Sequence, residues 1–119
     1  MSKKLIIVGS GNAALCAGIS ALEKGATVKI LEKANENLAG GNTKYTAGAM
    51  RFVYNNGDEL KPLLKDPNDP KLEITNFGKY SKEKFSEDLL SFNDGKPLTI
   101  EQKTLINESY DTMKWLASH

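Results

Sequence analysis

The stretch LIIVGSGNAALCAGISALEKGATVKILE, residues 5–32, decides the fold. It opens on an apolar run, Leu5 to Val8, typical of a strand buried on both faces of a parallel sheet. The small residues of Asn12 to Lys24 predict a helix that approaches the sheet closely, and Gly25 predicts its end. A second strand is predicted over Thr27 to Leu31. The stretch therefore predicts one strand–helix–strand (βαβ) unit.

The turn between the first strand and the helix has the pattern G-x-G-x-x-A, written Gly9, Ser10, Gly11, Asn12, Ala13, Ala14. The first glycine permits a tight turn, the second lets a pyrophosphate approach, and the small last residue lets helix and strand pack closely. Phosphates would then lie over free N–H groups at the helix N-terminus. Glu32 ends the second strand, where a carboxylate can bind both ribose hydroxyls. This acid disfavours NADP but does not separate NAD from FAD, and a glycine turn in an unrelated α/β domain is the alternative.

A second glycine segment, GGNTKYTAGAM, begins at Gly40. Paired glycines allow the backbone close to a flat or charged ligand. Asn42 and Thr43 add short hydrogen-bonding side chains beside it. The residues alone leave this interpretation evenly balanced with a polar turn that leads to another strand.

Composition excludes several classes of protein. The chain has 119 residues, which suits one domain at most, and its 16 basic and 15 acidic side chains nearly cancel. Bulk charge therefore attracts neither nucleic acid nor an anionic membrane. The longest apolar run is too short to span a bilayer and, ending in a glycine turn, is not a signal peptide. A single cysteine, Cys16, excludes an internal disulfide and fits a cytoplasmic location, and no Cys/His cluster suggests a metal.

Beyond the second strand the sequence is more polar. Thr99 and Gln102 have the spacing of a helix capping box. Phe85, Leu89 and Phe92 are expected on one face of the preceding helix. The expected order is an extended segment over residues 34–57, one or two helical turns over 58–64, a loop over 65–78, and helices over 81–92 and 99–117.

Two runs of the chain resemble the flavoprotein superfamily of fumarate reductase and succinate dehydrogenase: GSGNAALCAGISALEKGATVKILEK and GGNTKYTAGAMRF. Within it, the chain is most similar to tricarballylate dehydrogenase and its close FAD-dependent relatives, through GNAALCAG and GGNTKYTAGAMRFVYNNGDELKPLL. The likeness covers nearly the whole chain and is tightest over residues 4–64. It implies FAD as cofactor, held noncovalently, since no histidine stands just after the second glycine segment, where the branch with covalent flavin has one.

The resemblance also implies residue roles. Glu32 would bind the adenosine ribose, with Lys33 alongside. The FAD pyrophosphate would be held by Gly9, Ser10, Gly11, Asn12 and Ala13, with Ala14 as a tolerated replacement for the third glycine. The pyrophosphate and the isoalloxazine ring would run beside Gly41, Asn42, Thr43, Thr46, Ala47 and Gly48. The implied chemistry is hydride exchange between the flavin and a carbon next to a carboxylate, with a small polycarboxylate as substrate.

No residue of this chain is assigned a catalytic role. Arg51 could approach a substrate carboxylate, but a structural ion pair is the favoured interpretation. Tyr45 and Tyr54 are more simply half-buried structural tyrosines than walls of a flavin cavity. Cys16 is interpreted as a small buried hydrophobe and His119, the last residue, is not interpreted as a base.

These observations predict an α/β fold in which residues 1–119 form a partial, Rossmann-like FAD-binding domain. The βαβ unit and flavin-contacting segment occupy 1–54, and loops and helices over 55–119 lead toward a capping domain. The chain is thus expected to be the N-terminal piece of a longer flavoprotein, binding FAD weakly and without turnover by itself. The alternatives are a dinucleotide-binding subunit of a split enzyme, assembled with a C-terminal partner polypeptide, a non-functional truncated remnant, and an NAD-binding domain. An NAD-binding domain would not explain the segment GGNTKYTAG.

Overall fold

A computed structural model describes residues 3–119. The chain divides into two compact units, the first ending at Ala49 and the second comprising Met50–His119. The first unit contains the βαβ stretch and the second glycine segment. Most of the helical residues that follow belong to the second unit.

The first unit begins with strand β1 (Lys4–Val8), helix α1 (Asn12–Glu23) and strand β2 (Thr27–Leu31). The two strands pair in parallel, with Lys4 opposite Thr27 and Val8 opposite Leu31. Just past β1, the Gly9 N–H donates to the Leu31 carbonyl at 2.7 Å and extends the pairing to the glycine turn. The predicted βαβ unit is confirmed, because its apolar strands and alanine-rich helix carry strong local signals.

Helix α1 packs on one face of this two-stranded sheet. Gly18 is the buried residue of α1, and a Cβ there would lie 3.5 Å from Ile7 Cδ1 and 3.7 Å from Ile30 Cδ1. On the other face Ile6 and Val8 are 64% and 84% exposed. The prediction that β1 is buried on both faces is therefore wrong for residues 3–119, in which α1 covers one face only.

The segment after β2 is less extended than the sequence predicts. A 3₁₀ helix spans Gly41–Tyr45, preceded by Gly40 at φ 107°, in the left-handed region that favours glycine. The Lys44 ammonium donates to the carbonyl of Asn37, and the Thr46 N–H donates to the Thr43 carbonyl at 3.3 Å. These local hydrogen bonds close the chain into turns where an extended segment was expected.

The second unit starts with two 3₁₀ turns, Gly57–Glu59 and Lys61–Leu63, which agree with the one or two turns predicted there. It continues with helices α2 (Lys71–Ile74), α3 (Lys82–Leu90) and α4 (Ile100–Ala117). The short helix α2 corrects the expected loop. It follows Pro70, and proline is compatible with a helix start because its missing N–H would have no partner within the helix.

The core of the second unit consists of Val53, Phe85 and Ile106, with Tyr80, Leu89 and Leu98 packed against it. Phe92 is 83% exposed and does not join Phe85 on one face, so that expectation is wrong. The reason is that α3 ends at Leu90 and Phe92 lies in the turn that follows.

Helix α4 begins with the predicted capping box. The Thr99 hydroxyl oxygen accepts the Gln102 N–H at 3.2 Å, and the Gln102 side-chain oxygen accepts the Thr99 N–H at 3.0 Å. The same Gln102 amide exchanges two hydrogen bonds of 2.9 Å with Asn93. Among the helices of residues 3–119, α4 included, not one is both long and apolar enough to cross a bilayer.

Candidate functional site

The glycine turn after β1 has two differently constrained glycines. Gly9 has φ 98°, and the space where a Cβ would lie is open. Gly11 has an ordinary φ of −75°, but a Cβ there would lie 3.3 Å from the Gly40 carbonyl oxygen and 3.4 Å from Thr43 Oγ1. A contact within the chain therefore already favours glycine at position 11, because the second glycine segment packs directly on the first.

The N-terminus of α1 presents backbone donors. The Asn12 N–H donates to Thr43 Oγ1 at 2.9 Å, and the Leu15 N–H donates to the Gly11 carbonyl at 3.0 Å. Within residues 3–119, the amides of Ala13 and Ala14 have no hydrogen-bond partner. Free amides at the positive end of a helix are suited to bind an anion.

Glu32 lies beside this turn and is fully ionised at neutral pH. Its Oε2 accepts the Ser10 N–H at 3.0 Å and the Ser10 hydroxyl, and its Oε1 accepts the Ala34 N–H at 2.8 Å. The Ser10 hydroxyl first, and then the Ala34 amide, lower the pKa of Glu32 from 4.5 to about 2. The carboxylate is exposed, so it remains accessible to a ligand.

Two side-chain hydroxyls join the two glycine segments. The Ser10 hydroxyl donates to Glu32 and accepts the Gly40 N–H at 3.0 Å. The Thr43 hydroxyl oxygen accepts the N–H of Asn12, the first residue of α1. The structure thus brings the predicted residues Ser10, Asn12, Glu32 and Thr43 into one cluster at the start of α1. In this cluster Ser10 is hydrogen-bonded to Glu32, Asn12 is hydrogen-bonded to Thr43, and Gly11 packs against Thr43.

The remaining predicted site residues lie on the exposed part of the second segment or next to Glu32. The Thr46 hydroxyl donates to the Thr43 carbonyl at 3.0 Å and accepts the Gly48 N–H at 3.4 Å. The side chains of Lys33 and Asn42 are exposed and make no hydrogen bond within residues 3–119. Gly41 and Ala47 are also exposed.

Two residues of the cluster were not predicted as site residues. Ala34 and Gly40 act through their backbone amides, which bind Glu32 and the Ser10 hydroxyl. The sequence carries no signal for Ala34, since any residue supplies an N–H. For Gly40, its position directly before Gly41 was the available signal.

Arg51 belongs to an ion pair in the second unit. Its Nη1 donates to Asp88 Oδ2 at 2.8 Å and to the Tyr80 hydroxyl oxygen at 3.0 Å. The Tyr80 hydroxyl donates to the same Asp88 oxygen at 2.6 Å, and this bond first, then the Lys84 ammonium, lowers the pKa of Asp88. The favoured interpretation of Arg51 as a structural ion-pairing residue is confirmed.

Other chemically active side chains have structural contacts. Tyr54 is half-buried, as predicted, and its hydroxyl donates to the Phe77 carbonyl at 2.9 Å, whereas Tyr45 is 71% exposed, against expectation. Cys16 is half-buried and lies 3.6 Å from Asn12 Oδ1. Residues 3–119 contain no group of three or more His, Cys, Asp or Glu side chains arranged to hold a metal ion.

Comparison with known proteins adds an independent test. The FAD binding domain family matches residues 4–80. A fumarate reductase (cytochrome) of Shewanella frigidimarina is 38% identical over 63 residues, which cover 53% of this chain and 11% of that protein. The corresponding protein of strain NCIMB 400 has the same identity over 63 residues, 10% of its length. The chain matches about a tenth of the length of these curated relatives, and no solved structure matches it.

The family match and the flavoprotein relatives agree with the geometry around α1. The match spans β1, α1, β2 and the second glycine segment, and it continues to Tyr80. Since it covers more than half of the residues, the chain belongs to the FAD binding domain family of flavoprotein oxidoreductases, and its cofactor is FAD.

Proposed function

We propose that the two glycine segments and Glu32 together form the FAD site of this chain. The observation that carries the proposal is the cluster at the start of α1, where two free amides follow a turn that is hydrogen-bonded to an ionised, exposed carboxylate. The amides of Ala13 and Ala14 suit the pyrophosphate, and the open space at Gly9 allows a ligand against the backbone. Gly41, Asn42, Thr43, Thr46, Ala47 and Gly48 would then line the path toward the flavin, with Lys33 beside the ribose.

Glu32 suits a ribose with two free hydroxyls. An ionised carboxylate offers about four acceptor positions. Three donors already use it, namely two groups of Ser10 and the Ala34 amide. One ribose hydroxyl can take the remaining position, and the second can replace the Ser10 hydroxyl. A 2′-phosphate in the same place would be repelled by the carboxylate, which favours FAD or NAD over NADP.

The reaction that we propose is hydride transfer next to a substrate carboxylate, with a tricarballylate-like polycarboxylate as substrate. Support comes from the resemblance of both glycine segments and from the relatives, which are named fumarate reductases. Bound FAD supplies the hydride donor or acceptor. The residues of this chain bind and orient it, and the single cysteine is consistent with a cytoplasmic location.

Titration with FAD tests the proposed site. Calorimetry should show one FAD per chain, and Glu32→Gln should weaken binding about 10-fold, because charged hydrogen bonds to the ribose are lost. Glu36→Gln is the matched control, since Glu36 is an exposed acid four residues away, and it should bind FAD as the unchanged chain does. Equal affinity of the two variants, or binding of NAD but not FAD, would overturn the proposal.

The substrate is tested with protein expressed from the complete gene and loaded with FAD. Anaerobic addition of tricarballylate should reduce the bound flavin and bleach its visible absorbance. Lactate, a monocarboxylate, is the control and should leave the spectrum unchanged. Reduction by lactate, or none by any polycarboxylate, would contradict the proposed substrate class while leaving the FAD site intact.

A split enzyme is the second candidate, and one observation favours it. The outer face of the β1–β2 sheet exposes Ile6, Val8 and Leu31, which are apolar side chains that a further polypeptide could cover. Co-expression with the product of the adjacent reading frame should then yield a complex in which this face becomes protected from solvent. Two products that purify separately would contradict the split-enzyme candidate.

A further inference from the structure

Helix α1 is capped by a residue far away in the sequence. Its N-cap residue is Gly11, which has no side chain to accept a hydrogen bond. The oxygen that accepts the first amide of the helix is Thr43 Oγ1, 2.9 Å from the Asn12 nitrogen and 31 residues along the chain. The 3₁₀ helix over Gly41–Tyr45 holds Thr43 in this position.

This contact decides which amides of α1 remain open. The Asn12 N–H is occupied by Thr43, whereas the next two amides, of Ala13 and Ala14, have no partner within residues 3–119. The same hydroxyl oxygen lies 3.4 Å from where a Cβ on Gly11 would be, so Thr43 lies directly against the glycine turn. Thr43 thereby contacts both the first amide of α1 and the turn that precedes it.

We propose that Thr43 is a positioning residue for the phosphate of the cofactor, acting through Asn12 and the glycine turn. The inference rests on the FAD site proposed above and differs from it in the role of this side chain. The resemblance places Thr43 beside the cofactor itself, whereas its Oγ1 is hydrogen-bonded to the backbone of α1. A hydroxyl in this role affects every ligand that carries the pyrophosphate, including ligands without a flavin.

ADP and FAD are the probes that separate the positioning role from a direct contact with the flavin, because ADP contains the adenosine and pyrophosphate but not the flavin. Calorimetry should show that Thr43→Val weakens the binding of ADP and of FAD by the same factor. We expect about 5-fold, the size expected for one lost cap hydrogen bond. Thr43→Ser keeps the hydroxyl and should restore both affinities. Thr104→Val, an exposed site on α4, is the control and should change neither.

Weaker FAD binding with unchanged ADP binding would show a direct flavin contact and overturn the inference. So would a Thr43→Ser variant that binds as poorly as Thr43→Val. Far-UV circular dichroism establishes that each variant retains its helices.

Amide hydrogen exchange of the unchanged chain tests the cap, on which the inference depends, even where a variant does not fold. Asn12 should exchange more slowly than Ala13 and Ala14, since Thr43 occupies its N–H. Equal exchange rates for the three amides would overturn the inference. If the chain binds neither ADP nor FAD, the proposed FAD site fails and the positioning role fails with it, whereas a slow Asn12 amide would still establish the cap.

Discussion

At the scale of single residues, the charge of Glu32 is set by its hydrogen bonds. The carboxylate is exposed, yet its pKa lies at about 2, because the Ser10 hydroxyl and the Ala34 amide both donate to the charged form. The folded chain therefore keeps a negative charge beside the glycine turn through the whole mildly acidic range. This charge favours ribose hydroxyls and disfavours an additional phosphate at that position.

Ser10→Ala should raise the pKa of Glu32 toward its ordinary value of 4.5, because the largest cause of the shift is removed. The two backbone amides remain, so the shift should be partial. The carboxyl ¹³C chemical shift followed against pH measures it. Ser20→Ala, at another serine within α1, is the control and should leave the titration unchanged. A Glu32 pKa that stays at about 2 in Ser10→Ala would contradict the assigned cause.

The same shift has a consequence for stability against pH. The folded-state pKa is lower than the unfolded one, so the ionised Glu32 favours the folded chain above pH 4.5, and this contribution is lost as pH falls toward 2. In Ser10→Ala the folded-state pKa of Glu32 should be higher. The pH range over which this contribution is lost should therefore end at a higher pH than in the unchanged chain. Urea unfolding at a series of pH values measures the difference between the two chains.

At the scale of elements, the stability of a helix N-terminus depends on whether the free N–H groups of its first turn find acceptors. Thr99→Ala removes the side-chain acceptor from the capping box of α4 and should cost about 1 kcal/mol of unfolding free energy. Thr104→Ala, inside the same helix, loses a hydroxyl without a capping role and should change stability by less than about 0.5 kcal/mol or increase it. Urea unfolding compares them, and equal losses would argue against the cap.

Substitution by alanine should have opposite effects on stability at two glycines, one within α1 and one at its N-cap. Gly18→Ala adds a Cβ at ordinary contact distances of 3.5–3.7 Å and favours the helix, so a gain of up to about 1 kcal/mol is expected. Gly11→Ala places a Cβ 3.3 Å from the Gly40 carbonyl oxygen and should destabilise the first unit and weaken FAD binding. Thermal unfolding measures both, and a larger loss for Gly18→Ala would contradict the packing described here.

Elements with strong local signals could be predicted from the sequence. The second strand agrees with its predicted bounds, and α1 ends one residue early, because apolar periodicity and glycine stops are local properties. The 3₁₀ helix Gly41–Tyr45 could not be predicted, since glycine pairs also suit turns and extended chain. Phe92 was placed on a helix face because the end of α3 at Leu90 has only a weak signal.

Individual residues of the candidate site could be named from the sequence, but the hydrogen bonds between them could not. Ser10, Glu32 and Thr43 are each candidate site residues on the sequence alone. That the Ser10 hydroxyl contacts Glu32 across 22 residues, and Thr43 contacts Asn12 across 31, depends on how the folded backbone returns on itself. No spacing rule relates such positions. A contact made by a backbone amide, as at Ala34, cannot be predicted from the type of side chain.

At the scale of the whole molecule, the two units have different interiors. The first consists of a two-stranded parallel sheet with α1 on one face. The second has a small core of Val53, Phe85 and Ile106. Cores of this size support only marginal stability, so a single large side chain carries much of the folding free energy of its unit.

Phe85→Ala should therefore unfold the second unit. The side chain is 3% exposed, and its truncation is expected to cost about 3–5 kcal/mol. Amide signals of α3 and α4 should collapse to random-coil positions in NMR spectra. Phe92→Ala, at a side chain that is 83% exposed, is the matched control and should change stability by less than about 0.5 kcal/mol. Similar losses from both variants would contradict the core described here.

The close approach of Gly11 to Gly40 and Thr43 has a consequence for how the sequence can change in evolution. A mutation that adds a side chain at position 11 requires the segment at 40–43 to shift by a few tenths of an ångström, and that shift would strain the hydrogen bond that caps α1. We therefore expect selection to act on the two segments jointly. In homologous sequences, positions 11 and 43 should vary together, and recombination that exchanges one segment without the other should be disfavoured.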